Sequence, residues 1–461
     1  MLCQLQRLRA PTQWRYGVTT ETASQPTPIP FAAAARVWTV IGFTSFGGAA
    51  GQIAMMHKML VDERKWIDEP RFLHALSYAT LLPGPEAQQL ATYVGWLLHG
   101  VRGGLFAGLM FVGPGALVML ALSFLYAYGH HLPLIDALFF GIKCAVLAIV
   151  AHAVQRIARR AFRGRVFVFI AIAAFCALLF FNVPFPLLVI GAGAAGYVLQ
   201  PVFPQVFGLA KPAPTHAPPP AAQWRKSLAT AVLWTAVWWA PVALAALTLG
   251  PSHILAELGL FFGKLAALSF GGAYALLAWL AQEAVATKHW LNAAEMADGL
   301  GLAETTPGPL ILVTQHVGFL AGLRAPAPFS PAAAAALAAL MTSWVTFAPS
   351  FVWIFAGAPY VEALRANQRL TAALAAITAV VVGVMSYLAV WFALNLLFGD
   401  AGFAHWSVLR WPAIRLASLD WLALGLSAVA FVLVMRLHLG LAQVVLGMAA
   451  LGVLVKVVLG L

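Results

Sequence analysis

Four stretches of this chain are too long and too apolar for the surface of a water-soluble protein. Residues 166–182, 228–249 and 371–398 run without a charged side chain, and 440–460 carries only Lys456. A helix needs ~17–25 such residues to cross the hydrocarbon of a bilayer. Inside lipid every backbone N–H and C=O must be satisfied within the protein, so such a chain is confined to membrane-spanning helices. Charged residues make up 9% of the chain, against roughly 25% in a soluble domain. Further spans are expected near 37–56, 73–98, 104–128, 134–154 and 185–200, then near 257–281, 297–323, 330–356 and 420–435. The fold class expected is an all-α polytopic membrane protein lodged in the lipid bilayer.

The formal charge is +12, but the basic residues mark topology and do not form a nucleic-acid surface. No acidic residue lies between Asp136 and Glu257, while Arg156, Arg159, Arg160, Arg163 and Arg165 share one short loop. A basic loop between apolar spans marks the cytoplasmic side, and no soluble domain accompanies it as nucleic-acid binding would require. Residues 1–30 contain no apolar core of a cleavable signal, and residues 1–36 are expected to form a cytoplasmic tail. Cys3, Cys144 and Cys176 match neither a disulfide framework nor a metal-ligand spacing. His130 and His131 diverge if helical, so no metal site is expected. No Gly-rich nucleotide loop ending in Lys-Ser or Lys-Thr is present. Neither a cofactor nor an enzymatic activity is expected.

The chain repeats itself. Ser45-Phe-Gly-Gly48 recurs as Ser269-Phe-Gly-Gly272, Trp66 as Trp290, and Pro83-Gly-Pro85 as Pro307-Gly-Pro309, all at the same offset. The proline-dense segment around Lys211–Pro220 separates the copies, since proline at that density favours an extended spacer. The expected parts are a repeat over 37–200, a cytoplasmic linker over 201–226 and a second repeat over 227–461. With the N-terminus cytoplasmic, six crossings leave the linker inside. The additional span at 228–249 then turns the second copy over, making the halves inverted repeats.

Longer motifs resemble the chromate ion transporter family in its two-domain form. They include Phe43-Thr-Ser-Phe-Gly-Gly48, Leu60-Val-Asp-Glu-Arg-Lys-Trp66, and Leu81-Leu-Pro-Gly-Pro-Glu-Ala-Gln-Gln-Leu90 with Ala91–Trp96. In the second half they include Ser269–Tyr274 and Asp298–Pro309. The resemblance covers roughly residues 40–400, and Gly113-Pro-Gly115 departs from a Leu-Pro pair common in the family. It implies a bacterial inner-membrane protein that exports chromate and confers chromate resistance, with sulfate as the near-isosteric analogue. A homodimer is a further expectation.

A tetrahedral dianion in hydrocarbon needs fixed donors, and main-chain amides at helix N-termini supply them without full positive charge. Pro83-Gly84-Pro85 and Pro307-Gly308-Pro309 each break a helix and open a new N-terminus. Ser45-Phe46-Gly47-Gly48 and Ser269-Phe270-Gly271-Gly272 let backbone approach closely. Broken helices at matching positions of two repeats point to a midplane site; the alternative is kinks and close-packing glycines. Gln88 and Gln89 are candidate neutral donors. Lys143 and Lys264 offer positive charge or snorkel to the interface. Glu86 and Glu304 either carry a coupling proton or cap helix N-termini. Trp66 and Trp290 are expected as interfacial anchors.

Secondary export, driven by the membrane potential or by proton antiport, is the reading these residues favour. Three others stay open: a transporter of sulfate or another oxyanion, a membrane-embedded chromate reductase, and a passive channel.

Overall fold

The computed structural model describes residues 29–46, 48–129, 132–207, 223–270, 273–360, 367–399, 401–407, 409–437 and 439–460. Most of the N-terminal tail, the centre of the linker, His130 and His131 therefore lie outside the described residues. Among those described, five helices are long and apolar enough to cross a membrane: Glu86–Gly129, Pro133–Ala161, Trp224–Leu249, Pro331–Gly357 and Gln368–Leu397. Shorter apolar helices accompany them, among them Phe31–Thr44, Arg165–Phe181, Phe185–Leu199 and Trp421–Met435. The chain is a multi-pass helical membrane protein.

Two expected spans of the first half are each broken in the middle. The stretch 37–56 is α1 (Phe31–Thr44) and α2 (Gly48–His57), parted at Ser45-Phe46. The stretch 73–98 is α3 (Glu69–Ala79) and the start of α4 (Glu86–Gly129), parted by Thr80–Pro85. Further on, α4 bends where His99 and Gly100 leave helical geometry. Then come α5 (Pro133–Ala161), α6 (Arg165–Phe181), α7 (Phe185–Leu199) and a short α8 (Pro204–Phe207).

The second half repeats both interruptions after α9 (Gln223–Leu249). The expected span 257–281 is α10 (Ile254–Ala267) and α11 (Ala273–Ala281), and 297–323 is α12 (Ala293–Thr305) and α13 (Val313–Arg324). The likeness extends to detail. A π turn follows α2 at Lys58–Glu63 and another follows α11 at Gln282–Thr287. Lys65 and His289 share the same left-handed φ of 52°. Asp68 caps α3 by accepting from the Arg71 amide, and Asn292 caps α12 by accepting from the Glu295 amide. Such caps satisfy first-turn N–H groups that have no helical acceptor.

The remainder is α14 (Pro331–Phe347), α15 (Pro349–Gly357), the helix Gln368–Leu397, and the helices Trp421–Met435 and Leu441–Val453. A two-stranded hairpin pairing Ala401–Trp406 with Leu409–Ile414 interrupts this otherwise helical series. Arg410 fastens it by donating to the carbonyls of Leu178 at 2.6 Å and Leu179 at 3.2 Å, near the end of α6. A cation suits the carbonyl-rich end of a helix.

Lipid tails are as apolar as leucine, so helices in membranes associate through close packing more than through hydrophobic burial. Small residues decide where that packing is tightest. A β-carbon on Gly115 of α4 would lie 1.9 Å from the Pro307 carbonyl oxygen, and one on Gly301 of α12 would lie 2.1 Å from Cγ2 of Ile142 on α5. Both contacts join the first half to the second.

Candidate functional site

The two Pro-Gly-Pro breaks meet the two Ser-Phe breaks, each crossing to the other half. The Gly84 amide donates to the Ser269 carbonyl at 3.0 Å, and the Gly308 amide donates to the Ser45 carbonyl at 2.7 Å. The two bonds are equivalent once the repeats are superposed in sequence, so the halves are joined by a self-complementary, two-fold type of contact. The flanking prolines have no N–H to continue a helix. Gly84 and Gly308 take φ of +129° and +94°, a region that side chains disfavour and glycine enters freely.

Neutral polar groups line both breaks, and all are buried. Gln89 donates to the Pro83 carbonyl at 2.7 Å, while the Gln88 carbonyl oxygen accepts from the Ser350 hydroxyl at 2.7 Å. At the second break Gln52 donates to the Gly308 carbonyl at 2.6 Å and the Ser45 carbonyl at 3.2 Å. The hydroxyls of Ser45 and Ser269 turn back on their own helices, donating to Ile41 and Ala266 carbonyls. Pro83, Pro85, Pro307 and Pro309 are buried; Phe46 is exposed and Phe270 half-buried. Gly47, Gly271 and Gly272 lie outside the described residues. A helix that begins at Glu86, and a second that begins after Pro309, leave first-turn amides beside these breaks. The arrangement can therefore offer neutral N–H donors to an anion on the seam between the halves.

The charged candidates fall in different places. Glu86 opens α4 and is half-buried, within the electrostatic reach of Arg160 from the basic loop. Glu304, in the last turn of α12, is also half-buried. Lys264 is exposed in the last turn of α10. Lys143 is on α5, its ammonium 3.1 Å from Asp298 of α12. Of the two tryptophans, Trp66 is half-buried beneath the Arg64 guanidinium. Trp290 instead packs in the core, 6% exposed, with its ring 5.4 Å from that of Phe261. It is a packing residue and not an interfacial anchor.

Residues that sequence reasoning passed over are Gln52, Ser350, Asp298, Tyr126 and His316. For Asp298 and His316 a signal existed, because an ionisable side chain within an apolar span is a functional candidate by default. For Gln52 and Ser350 there was none short of knowing which breaks touch.

A family model described as a chromate transporter matches residues 32–197 and 256–453. The chain is 32% identical to a chromate transport protein of Pseudomonas aeruginosa, over 79% of its own length and 81% of that protein's. It is 27% identical to a chromate transport protein of Cupriavidus metallidurans, over 75% and 78% of the two chains. An uncharacterized transporter of Methanocaldococcus jannaschii is 25% identical over 71% and 75%. No solved structure matches the chain.

Proposed function

The chain belongs to the chromate transporter family, and from that premise we propose that it is a secondary transporter moving chromate out of the cytoplasm across a bacterial inner membrane. The N-terminus faces the cytoplasm, the protein acts without enzymatic conversion of its cargo, and its activity confers chromate resistance. The observation that carries the reading is the reciprocal pair Gly84–Ser269 and Gly308–Ser45. It brings two interrupted helices from two repeats to one seam, where amides and the side chains of Gln52, Gln88, Gln89 and Ser350 can replace water around an oxyanion.

The substrate site so proposed comprises Ser45, Phe46, Gly47 and Gly48 with Pro83–Pro85, Gln88 and Gln89. Their counterparts Ser269, Phe270, Gly271, Gly272 and Pro307–Pro309 complete it, with Lys143 and Lys264 as cations and Glu86 and Glu304 as candidate proton carriers. Outward movement of negative charge is favoured by a negative interior, by ~2.3 kcal/mol per charge per 100 mV. The membrane potential is thus a sufficient driving force, with proton antiport the coupled form to be tested.

Everted membrane vesicles given labelled chromate should accumulate it when energised and lose the uphill component with a protonophore. Excess sulfate reports on selectivity. Accumulation of sulfate without chromate would establish the second reading, a transporter of another oxyanion. Equal, gradient-independent equilibration would establish a channel.

A further inference from the structure

Each Pro-Gly-Pro break holds one carboxamide oxygen that no protein donor meets. Gln89, one turn into α4, folds back over the helix start so that its Nε2 donates to the Pro83 carbonyl at 2.7 Å. A β-carbon on Gly84 would collide with that nitrogen, so the carboxamide lies directly on the break. A carbonyl only accepts, which fixes the nitrogen end of the amide. Oε1 of Gln89 has no hydrogen-bond partner among the described residues, and the side chain is fully buried. At the second break Gln315, in the first turn of α13, donates from Nε2 to the Ala116 carbonyl at 2.9 Å. Ala116 follows Gly115, which abuts the Pro307 carbonyl. Oε1 of Gln315 is likewise buried and without a partner. The offset that aligns the two motifs places Val313, and not Gln315, opposite Gln89. The halves therefore reach the same chemistry from different registers, which sequence duplication does not explain. By contrast, Oε1 of Gln88 is satisfied by Ser350.

An unmet acceptor away from water is costly, so these oxygens fit a ligand that brings its own O–H. A fully deprotonated tetrahedral oxyanion has only acceptors and sets oxygen against oxygen there. A singly protonated one gives its hydroxyl to the carboxamide and its three other oxygens to main-chain amides of the helix start. Charge argues the same way. The cost of burying an ion grows with the square of its charge, so a dianion costs about four times as much as a monoanion of equal size. The cations named for the site are engaged or outside it: Lys143 is paired with Asp298 at 3.1 Å, and Lys264 is exposed.

We propose that the transported species is the monoprotonated oxyanion, hydrogen chromate, selected by the carbonyl oxygens of Gln89 and Gln315. The inference rests on the transport reading above and specifies its substrate. The second ionisation of chromic acid falls near neutral pH, so a cytoplasm supplies this species in quantity. That of sulfuric acid lies far lower, and sulfate is a dianion over the same range. Two ions of nearly one shape are thus told apart by a hydroxyl that the site is built to bond. Each ion leaves with its own proton, and one net negative charge moves outward with the membrane potential. No bond to chromium breaks and no electron moves.

Protein groups that titrate or carry charge surround these two residues. Glu86 and Tyr93 lie within about a turn of Gln89 on α4, and Arg160 of the basic loop acts on Glu86. Further along α4 come His99, Arg102, Tyr126 and Tyr128. Helix α3 brings Glu69, Arg71, His74 and Tyr78, α1 brings Arg36 and α2 brings His57. From α12 come Glu295, Asp298 and Glu304, from α13 His316 and Arg324, and from α10 Glu257 and Lys264. Helices α14 and α15 bring none. Titration of any of these acts on chromate and sulfate alike, whereas titration of the ligand acts on chromate alone.

The test is equilibrium binding of labelled chromate and of labelled sulfate to purified full-length protein in detergent, across pH and without thiols. On the alkaline side of the ion's own pKa, chromate should bind about tenfold more tightly for each pH unit of acidification, because only the competent fraction binds. Sulfate should bind weakly, with no such rise. The double variant Gln89→Met, Gln315→Met should lose at least several-fold of the chromate affinity on the acid side, and its rise should shrink. Gln88→Met should keep the full rise. Should the double variant fail to fold, either single variant serves, with a smaller loss. A chromate affinity independent of pH, a parallel rise for sulfate, or an undiminished rise in the variants overturns the inference and leaves the transport reading standing. Failure of wild type to bind either oxyanion at any pH overturns both.

Discussion

The amide of Gly84 donates to the carbonyl of Ser269 at 3.0 Å, across the boundary between two halves whose motifs are copies of each other. Its counterpart, Gly308 to Ser45, is the same bond with the halves exchanged. Each repeat thus completes the other's broken helix, and neither interruption is a closed unit alone.

Alanine at Gly308 should strain that junction. The residue sits at φ +94°, and left-handed backbone costs a residue with a β-carbon roughly 1–2 kcal/mol. Gly308→Ala should lower the unfolding temperature and reduce chromate transport, measured by thermal unfolding in detergent and by vesicle uptake. A variant with wild-type stability would contradict the backbone geometry.

Gly115→Ala and Gly113→Ala form a controlled pair on one helix. A β-carbon at 115 meets the Pro307 carbonyl oxygen at 1.9 Å, whereas one at 113 meets nothing within 4 Å. Overpacking of this kind costs about 1–3 kcal/mol. The first variant should therefore lose stability and transport while the second keeps both, read from the same two assays.

Outside the spans, His57 is poised between Glu69 and Asp62. The hydrogen bond to Glu69 is the main cause that holds its pKa above the usual imidazole value, opposed by partial burial and aided by the charges of Glu69 and Asp62. A raised folded pKa means the charged form is preferred in the folded protein. The stabilisation is fully present below the unfolded value of about 6.5 and disappears as pH rises through the folded one. His57→Gln should thus be less stable than wild type on the acid side of that window and converge with it on the alkaline side. Parallel melting curves across pH, with no convergence, would refute this.

Arg64 and Lys288 stand at equivalent positions of the two repeats, and both are exposed. If the repeats are inverted, single cysteines placed there, in a background lacking Cys3, Cys144 and Cys176, should react with an impermeant thiol reagent from opposite faces of the membrane. Labelling of both from one face would mean parallel repeats.

Much of this architecture was readable from residue order, because the physics involved is local. Helix-length apolar runs, prolines that cannot continue a helix and glycines that enter left-handed backbone act within a few residues of themselves. The interruption at Pro83 and its echo at Pro307 were visible for that reason, whereas the Ser45 and Ser269 motifs were visible as repeated glycine-rich segments and their breaks only in the structure. The Arg410 hairpin was not, since the segment before Trp421 carries no strong alternation and its latch lies far away on α6. Trp290 misled because an aromatic beside charged residues reads as an interface anchor until its neighbours Phe261 and Phe262 are known.

By itself, the sequence determined that this protein lives in a membrane, that it is made of one module twice, and that each copy is broken at its Pro-Gly-Pro. Only tertiary packing decided that each break pairs with the unlike break of the other copy, and that Lys143 meets Asp298. Partners this far apart in the chain are selected by which helices can approach closely and by the cost of leaving a charge or an amide unsatisfied away from water. No local rule encodes that choice; it is made when the two halves close on each other.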